Sequence, residues 1–128
     1  MVMKLPITIN GVVLHGNHLG STINIPTANV ELPKDFENIE YGVYYSQVTV
    51  DGKTYRSMSN VGRKPTIKDD NLPNVESFIY DFEGDLYEKE ICVQLLEFRR
   101  PEKKFKSFAE LSRAMTEDLE AGKNYQNQ

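Results

Sequence analysis

The sequence predicts a mainly β protein, in which five or six antiparallel strands form one sheet closed into a sandwich or small barrel and a single helix follows. Segments rich in β-branched and aromatic residues follow one another as far as Phe98, with no helical pattern between them. Apolar residues at helical spacing occur only after Ser107. A run of strands followed by one helix favours an antiparallel sheet over an alternating α/β fold.

Length and composition favour one globular domain. The chain has 128 residues and is 39% hydrophobic, so we expect a single domain over residues 1–128, with a core at 7–121 and flexible ends at 1–5 and 123–128. The net charge of -4 argues against a nucleic-acid partner. The N-terminus lacks a signal-peptide pattern, no segment has the length of a membrane span, and Cys92 is the only cysteine. We therefore expect a cytoplasmic protein without a membrane partner.

The first two predicted strands flank a long polar loop. Residues 7–14 are rich in β-branched side chains, and Gly11 within them indicates a bulge or a close backbone approach. Residues 15–24 are too many for a simple hairpin turn, and loops of that size are more often functional. Pro26 then introduces a second extended segment at 27–30.

A β-hairpin is the firmest element of the remaining chain. Asp51-Gly52 is the two-residue turn expected between paired strands. Glu83-Gly84-Asp85 marks a further turn downstream. The strands predicted around these two turns are 43–50, 53–61, 75–82 and 90–98.

The last predicted element is an amphipathic helix. Ser107 and Glu110 form a capping box at its start, and Gly122 is the predicted stop. Its apolar residues recur at spacings of three and four, which gives one face able to close over the mouth or the side of a barrel. These residues are Phe108, Leu111, Met115 and Leu119.

The two histidines are the first candidates for chemistry. In His15-Gly16-Asn17-His18 the glycine is misplaced for the nucleotidyl transferase signature, and the helix that should follow is missing from the pattern. As metal ligands, His15 and His18 lack a third partner of the usual kind nearby. We interpret both as ordinary loop residues.

A glycine-bearing loop followed by Pro-Thr-Ala-Asn is a sharper feature. Gly16 and Gly20 allow a backbone to approach a ligand closely, and turn N–H groups can face phosphate oxygens. Thr27 and Asn29 alternate with Ala28 and so face the same side of an extended strand. Their oxygens are suitable neutral ligands for Mg²⁺ bound to a nucleotide. From these residues alone, however, a proline-stiffened turn is favoured over a metal site.

Several short motifs, in order, resemble the riboflavin kinase family over residues 7–121. They are Gly11-x-Val13-x-x-Gly16, Pro26-Thr27-Ala28-Asn29, Tyr41-Gly42-Val43-Tyr44, Asn60-Val61-Gly62-Arg63-Lys64-Pro65-Thr66, Val75-Glu76 and Arg100-Pro101-Glu102-x-x-Phe105. Their order and spacing are more specific than any single motif. The resemblance implies a compact, six-stranded, Greek-key-like barrel with a C-terminal helix. It also implies a Mg²⁺-dependent enzyme that transfers the γ-phosphoryl of ATP to the 5′-hydroxyl of riboflavin, giving FMN and ADP.

The resemblance further implies the site residues. Glu76 corresponds to the family's catalytic carboxylate, whereas sequence alone favours a solvent-facing strand residue at this position. Thr27 and Asn29 correspond to the metal site. The implied ATP-binding residues are Gly16, Gly20, Ser21, Thr27, Ile79, Asp81 and Tyr87. The implied flavin-binding residues are Asn29, Arg100, Lys103 and Phe105.

Four positions depart from the family pattern and keep other hypotheses open. Ser21 replaces a basic residue and Asn24 replaces a glycine in the loop that covers ATP, while Phe78 and Glu88 differ from the usual His and Gly. The first alternative is a flavin- or nucleotide-binding module with weakened catalysis, and the second is a barrel that binds a protein partner. The family also occurs as the C-terminal half of a two-domain FAD synthetase, so we expect either a stand-alone monomer or part of such a protein.

Overall fold

The architecture comes from a computed structural model that describes residues 4–14, 26–36, 38–63 and 73–125. These parts of the chain contain six strands, a short 3₁₀ helix and one α-helix. The strands are β1 (Ile7–Val12), β2 (Thr27–Glu31), β3 (Gly42–Val50), β4 (Lys53–Arg63), β5 (Pro73–Ile79) and β6 (Glu90–Pro101). The 3₁₀ helix is Lys34–Phe36, and α1 is Phe108–Asn124. The predicted fold class is confirmed.

The six strands form one antiparallel sheet in the order β1-β6-β3-β4-β5-β2. Within it, β6 returns beside β3 after three consecutive neighbours, which is a Greek-key arrangement. The two ends of the sheet meet where the Leu14 N–H donates to the Asn29 carbonyl at 2.8 Å. Gly11 permits this approach, because a Cβ there would lie 2.2 Å from Val30 Cγ1. The sheet therefore curls into a barrel.

Alternate residues of the strands fill the barrel interior, as the period of a β-strand requires. Most are β-branched or leucine side chains, which suit a pleated and buried surface. Those with at most 2% exposure include Ile9, Val13, Val30, Val48, Val61, Val75, Ile79, Ile91, Val93 and Leu95.

Four buried serines interrupt this apolar interior. Ser46 Oγ lies 2.6 Å from Ser57 Oγ and 2.7 Å from Ser59 Oγ, and Ser59 Oγ lies 2.7 Å from Ser77 Oγ. The chain of hydroxyls crosses β3, β4 and β5. Each buried hydroxyl is therefore hydrogen-bonded inside the barrel, which avoids the cost of an unpaired polar group.

The predicted hairpin turn is confirmed, and two strands end earlier than predicted. The first, β1, ends at Val12 and not at Leu14. Asp51 and Gly52 both have positive φ, at 52° and 78°, as a type I′ turn requires. β5 ends at Ile79 instead of continuing to Phe82. Asp81 has φ 60°, which breaks the extended backbone. Phe82 packs edge-on against Tyr55, with ring centroids 5.2 Å apart.

The predicted start of α1 is confirmed, but its predicted stop is wrong. The Glu110 N–H donates to Ser107 Oγ at 3.2 Å, which is the expected N-cap. The helix continues through Gly122 to Asn124. A Cβ at Gly122 would lie 2.4 Å from Met58 Sδ and from the Tyr80 hydroxyl, so this glycine lets the helix approach the sheet instead of ending it.

The helix packs on the outer side of the barrel. Leu119 forms a buried apolar cluster there with Val43, Met58 and Phe78, while Phe108 at the other end of the helix is 68% exposed. Only the C-terminal half of the predicted apolar face is therefore packed. Neither helix in the described segments is long and apolar enough to span a membrane.

Candidate active site

A row of side chains crosses the outer face of the sheet. Asn29 on β2 pairs with Glu76 on β5, and Glu76 pairs with Asn60 on β4. Asn60 pairs with Val43 on β3, which pairs with Arg100 on β6. Directly opposite residues of antiparallel strands share one face, with Cβ atoms about 5 Å apart. Three of the predicted site residues therefore lie in one row.

Glu76 is covered although it faces outward. Its neighbours Val75 and Ser77 point into the barrel, so the Glu76 side chain points to the outer face, yet it is only 7% exposed. Phe78, two positions further on the same face, is also buried. A carboxylate is seldom buried without a structural or chemical reason. The interpretation of Glu76 as a solvent-facing strand residue is therefore wrong.

Thr27 and Asn29 lie beside this carboxylate. They share the outer face because Ala28 between them points inward and is 1% exposed. Asn29 Oδ1 is buried and has no hydrogen-bond partner within the described part of the chain. An unpaired buried acceptor costs about 1–3 kcal/mol. An amide oxygen is also a hard ligand of the kind Mg²⁺ prefers, so the residues present fit a magnesium ion.

The loop between β5 and β6 lies next to the end of β1. Two backbone bonds join them, from the Val13 N–H to the Lys89 carbonyl at 2.9 Å and from the Glu88 N–H to the Val13 carbonyl at 3.1 Å. The predicted ATP-binding residues Asp81 and Tyr87 belong to this loop. Leu14, which follows Val13, pairs with Asn29. The loop therefore lies near the Asn29 end of the row, where the residues fit a magnesium ion.

Of the remaining predicted ATP-binding residues, Ile79 is the one that the structure describes. The Ile79 side chain is fully buried in the barrel, and its N–H donates to the Pro26 carbonyl at 2.9 Å. Its side chain therefore faces the core, and its place at a nucleotide stays a prediction. The loop positions singled out in the sequence lie outside the described residues, namely His15, Gly16, His18, Gly20, Ser21 and Asn24.

At the end of the row opposite Asn29, Arg100 forms an ion pair. Its Nη2 lies 2.6 Å from Asp118 Oδ2 of α1, and Arg99 Nε lies 3.0 Å from Oδ1 of the same carboxylate. Burial lowers the pKa of Arg99, but hydrogen bonds to Asp118 and to the Tyr45 hydroxyl outweigh this and raise it. Beyond β6, Lys103 Nζ lies 5.9 Å from the centre of the Phe105 ring. The flavin-binding role of these residues stays a prediction.

Sequence reasoning assigned no role to Asp118 or Glu102. A Cβ at Gly62 would lie 1.7 Å from Glu102 Oε1, so this carboxylate occupies the space above β4, two residues along from Asn60 on the same face. Glu102 lies within the motif that begins at Arg100. Asp118 could have been noticed because it lies three positions after Met115 and so falls on the apolar face of the predicted helix. An acidic residue on that face indicates a buried partner.

A separate cavity of about 360 Å³ opens at the seam between β1 and β2. Its lining residues are Gly11, Val12, Leu14, Val30, Glu31, Leu32, Pro33 and Lys34. None of the predicted site residues is among them.

Comparison with known proteins agrees with the motif order. The family model of riboflavin kinase, or flavokinase, matches residues 3–126. The chain belongs to the riboflavin kinase family. It is 36% identical over 104 residues to the bifunctional riboflavin kinase/FMN adenylyltransferase of Listeria monocytogenes, which covers 81% of this chain and 33% of that protein. This member of the family thus spans about a third of the length of that relative.

Two solved structures share the fold. A crystal structure named as a macrolide-efflux protein from Streptococcus pneumoniae superposes with a TM-score of 0.79 at 34% identity, over 94% of this riboflavin kinase family chain and 40% of the other. The riboflavin kinase of Trypanosoma brucei superposes with a TM-score of 0.62 at 22% identity, over 91% and 74% of the two chains. The second likeness shows that the barrel and helix are the fold of that enzyme.

Proposed function

We propose that the chain is a riboflavin kinase that transfers the γ-phosphoryl of ATP to the 5′-hydroxyl of riboflavin, giving FMN and ADP. The observation that carries the proposal is the placement of Glu76 directly opposite Asn29 on one covered face, with a buried Asn29 oxygen that lacks a partner in the described residues. Membership of the riboflavin kinase family supports the same reaction.

In the proposed reaction, Glu76 takes the proton of the riboflavin hydroxyl. The hydroxyl oxygen forms a bond to the γ-phosphorus, and the bond from that phosphorus to the β,γ-bridging oxygen breaks, so that ADP leaves. Little covalent work falls to the protein in phosphoryl transfer, and most of the acceleration comes from positioning and electrostatics. A rigid strand suits this task, because Glu76 is held by neighbours on both sides of β5.

Thr27 and Asn29 would hold the magnesium ion from β2. When bound, Mg²⁺ neutralises the charge that develops on the phosphate oxygens. The residues of this chain supply neutral oxygens on one strand face, and Asn29 Oδ1 is buried without a hydrogen-bond partner in the described residues. The site therefore leaves most of the ion's charge compensation to the nucleotide phosphates.

The nucleotide and the flavin are proposed to occupy opposite ends of the row. The ATP end comprises Gly16, Gly20, Ser21, Thr27, Ile79, Asp81 and Tyr87. The proposed flavin-binding residues at the other end are Arg100, Lys103 and Phe105. The fourth proposed flavin-binding residue, Asn29, pairs with Glu76 and lies at the ATP end of the row. Support for the ATP end comes from the loop after β5, which hydrogen-bonds to Val13 next to the end of β1.

The test is to incubate the purified chain with riboflavin and Mg-ATP and to separate FMN by chromatography. We expect FMN formation that depends on Mg²⁺ and falls by about 10²–10⁴-fold in Glu76→Gln, which keeps the shape but removes the base. A wild-type rate no higher than that of Glu76→Gln would contradict the proposal. In that case, quenching of riboflavin fluorescence would favour the binding module indicated by Ser21 and Asn24, and unquenched fluorescence would favour a barrel that binds a protein partner.

A further inference from the structure

The pairing of β6 with β3 is irregular near the flavin end of the row. Val43 pairs with Arg100, but the next residue of β3, Tyr44, pairs with Phe98, so Arg99 is an extra residue in β6. This is a β-bulge, in which two residues of one strand oppose one residue of the other. Consecutive side chains of a regular strand point to opposite faces. The bulge allows Arg99 and Arg100 to reach the same side of the sheet.

Both guanidinium groups bind one carboxylate, that of Asp118 on α1. Arg99 Nε donates to Oδ1 at 3.0 Å, while Arg100 donates from Nε to Oδ1 at 2.9 Å and from Nη2 to Oδ2 at 2.6 Å. Asp118 is 6% exposed, so these charge-assisted bonds form largely out of water. Two cations and one anion leave the cluster with one net positive charge.

We propose that Asp118 is a positioning residue that orients the Arg100 guanidinium toward the ring system of a bound flavin; this rests on the proposed function. Arg100 and Glu76 are separated by three strand spacings, about 14 Å. A ligand that presents a hydroxyl to Glu76 and carbonyl oxygens to Arg100 must be elongated, as a sugar-alcohol chain on a fused ring system is. A guanidinium that is already fixed loses less rotamer freedom when it binds such a ligand.

Asp118 also joins α1 to the sheet, and the test has to separate this from its action on Arg100. Tyr80 supplies the matched control. Its hydroxyl donates to the Leu119 carbonyl at 2.7 Å, one residue from Asp118, and so joins the same turn of α1 to the sheet through the helix backbone. Tyr80→Phe and Asp118→Asn each remove a docking contact, but only Asp118→Asn changes the partner of Arg100.

The experiment compares wild type, Asp118→Asn and Tyr80→Phe. FMN formation is measured against riboflavin concentration at saturating Mg-ATP, together with riboflavin fluorescence quenching and the unfolding midpoint. We expect Asp118→Asn to raise the KM and the Kd for riboflavin about ten-fold with kcat within about two-fold, as the loss of one charge-assisted contact predicts. Tyr80→Phe should leave both constants near the wild-type values. Equal shifts in the two variants, or unchanged constants in Asp118→Asn, would overturn the proposal.

A second readout comes from an Arg100→Ala background. If Asp118 acts through Arg100, then Asp118→Asn changes the riboflavin KM no further in that background, whereas a role in helix docking alone would add to the shift. Arg100→Lys tests the same claim if Asp118→Asn does not fold. It keeps Asp118 paired but loses the two-point geometry, so we expect a raised KM, and an unchanged KM would overturn the proposal.

The proposed kinase and the assignment of Asp118 fail in different ways. Wild-type protein that forms no FMN contradicts the kinase, and the fluorescence titration of the same variants then decides the assignment of Asp118. Wild-type protein that forms FMN, with Asp118→Asn indistinguishable from Tyr80→Phe, contradicts the assignment alone.

Discussion

The polar groups on the two faces of β5 differ in their hydrogen bonding. On the inner face, Ser77 lies between Val75 and Ile79, and its hydroxyl is bonded to Ser59 at 2.7 Å. On the outer face, Glu76 lies opposite Asn29, whose Oδ1 has no partner in the described residues. The hydroxyls inside the barrel are hydrogen-bonded to one another, whereas the outer face has a buried amide oxygen without a partner in the described residues. One strand thus contributes stability through one face and, in our proposal, chemistry through the other.

Apart from replacement of Glu76 itself, the largest effect is expected from a change on the outer face at Asn29. Asn29→Ala removes a buried acceptor that lacks a described partner, so it should leave the unfolding midpoint unchanged or raise it. The same change removes a proposed magnesium ligand. We expect kcat/KM for Mg-ATP to fall about 100-fold, or roughly 2.7 kcal/mol. Thermal unfolding checks the expected stability, and steady-state kinetics over a series of Mg²⁺ concentrations checks the expected loss of activity. A variant that is less stable but fully active would contradict both expectations.

The next largest effect is a loss of stability from a change on the inner face, at Ser59. Its hydroxyl is bonded to both Ser46 and Ser77, so Ser59→Ala deprives two buried hydroxyls of a partner. We expect unfolding in urea to show a loss of about 1–3 kcal/mol. The kcat of the folded protein should stay near wild type. A triple replacement of Ser46, Ser59 and Ser77 by alanine should cost less than the sum of the three single changes, since it leaves fewer unpaired hydroxyls.

A smaller effect concerns the part of the outer face that is packed. Gly122→Ala introduces a methyl group 2.4 Å from Met58 and from the Tyr80 hydroxyl. Overpacking of this kind costs about 1–3 kcal/mol, while alanine restores about 1 kcal/mol of helix propensity. The net result should be a loss of about 1 kcal/mol, measured as a lower unfolding midpoint. A stabilised variant would show that α1 does not lie this close to β4.

The smallest effect concerns the stability of the fold at alkaline pH, which depends on the hydroxyl of the buried Tyr44. Burial, with a contribution from Glu40, raises the pKa of Tyr44 to about 12, above its ordinary value of 10. The unfolded chain therefore loses this proton first as pH rises, so the stabilisation is complete below pH 10 and is lost between pH 10 and about 12. Tyr44→Phe should flatten this part of the unfolding profile. An unchanged profile would place the titration elsewhere, for example at Tyr80, whose pKa is also raised by burial and by Asp118.

Much of the fold was predictable because it depends on local patterns. The Asp51-Gly52 turn and the alternation of strand residues follow from backbone geometry, and both are confirmed. The stop at Gly122 was wrong because a glycine can serve a close helix–sheet contact as well as a helix end. The bulge at Arg99 carries no glycine or proline that would mark it. It depends on pairing between strands far apart in the sequence.

The candidate site was predictable in part for a similar reason. Thr27 and Asn29 were placed on one strand face from their spacing, which the buried Ala28 between them confirms. The pairing of Glu76 with Asn29 was not available from spacing, since it joins β2 to β5 across the Greek key. Nor was the ion pair of Arg100 with Asp118, which depends on the bulge and on where α1 docks.

The central claim is that the outer face of β5 is the catalytic face, and two adjacent residues test it. The measurement is the rate of FMN formation per folded molecule in Glu76→Gln and in Ser77→Ala, with the unfolding midpoint of each. Glu76→Gln should lose about 10²–10⁴-fold in rate and little stability, while Ser77→Ala should lose about 1 kcal/mol of stability and little rate. Equal losses of rate in both variants, or full activity in Glu76→Gln, would contradict the account.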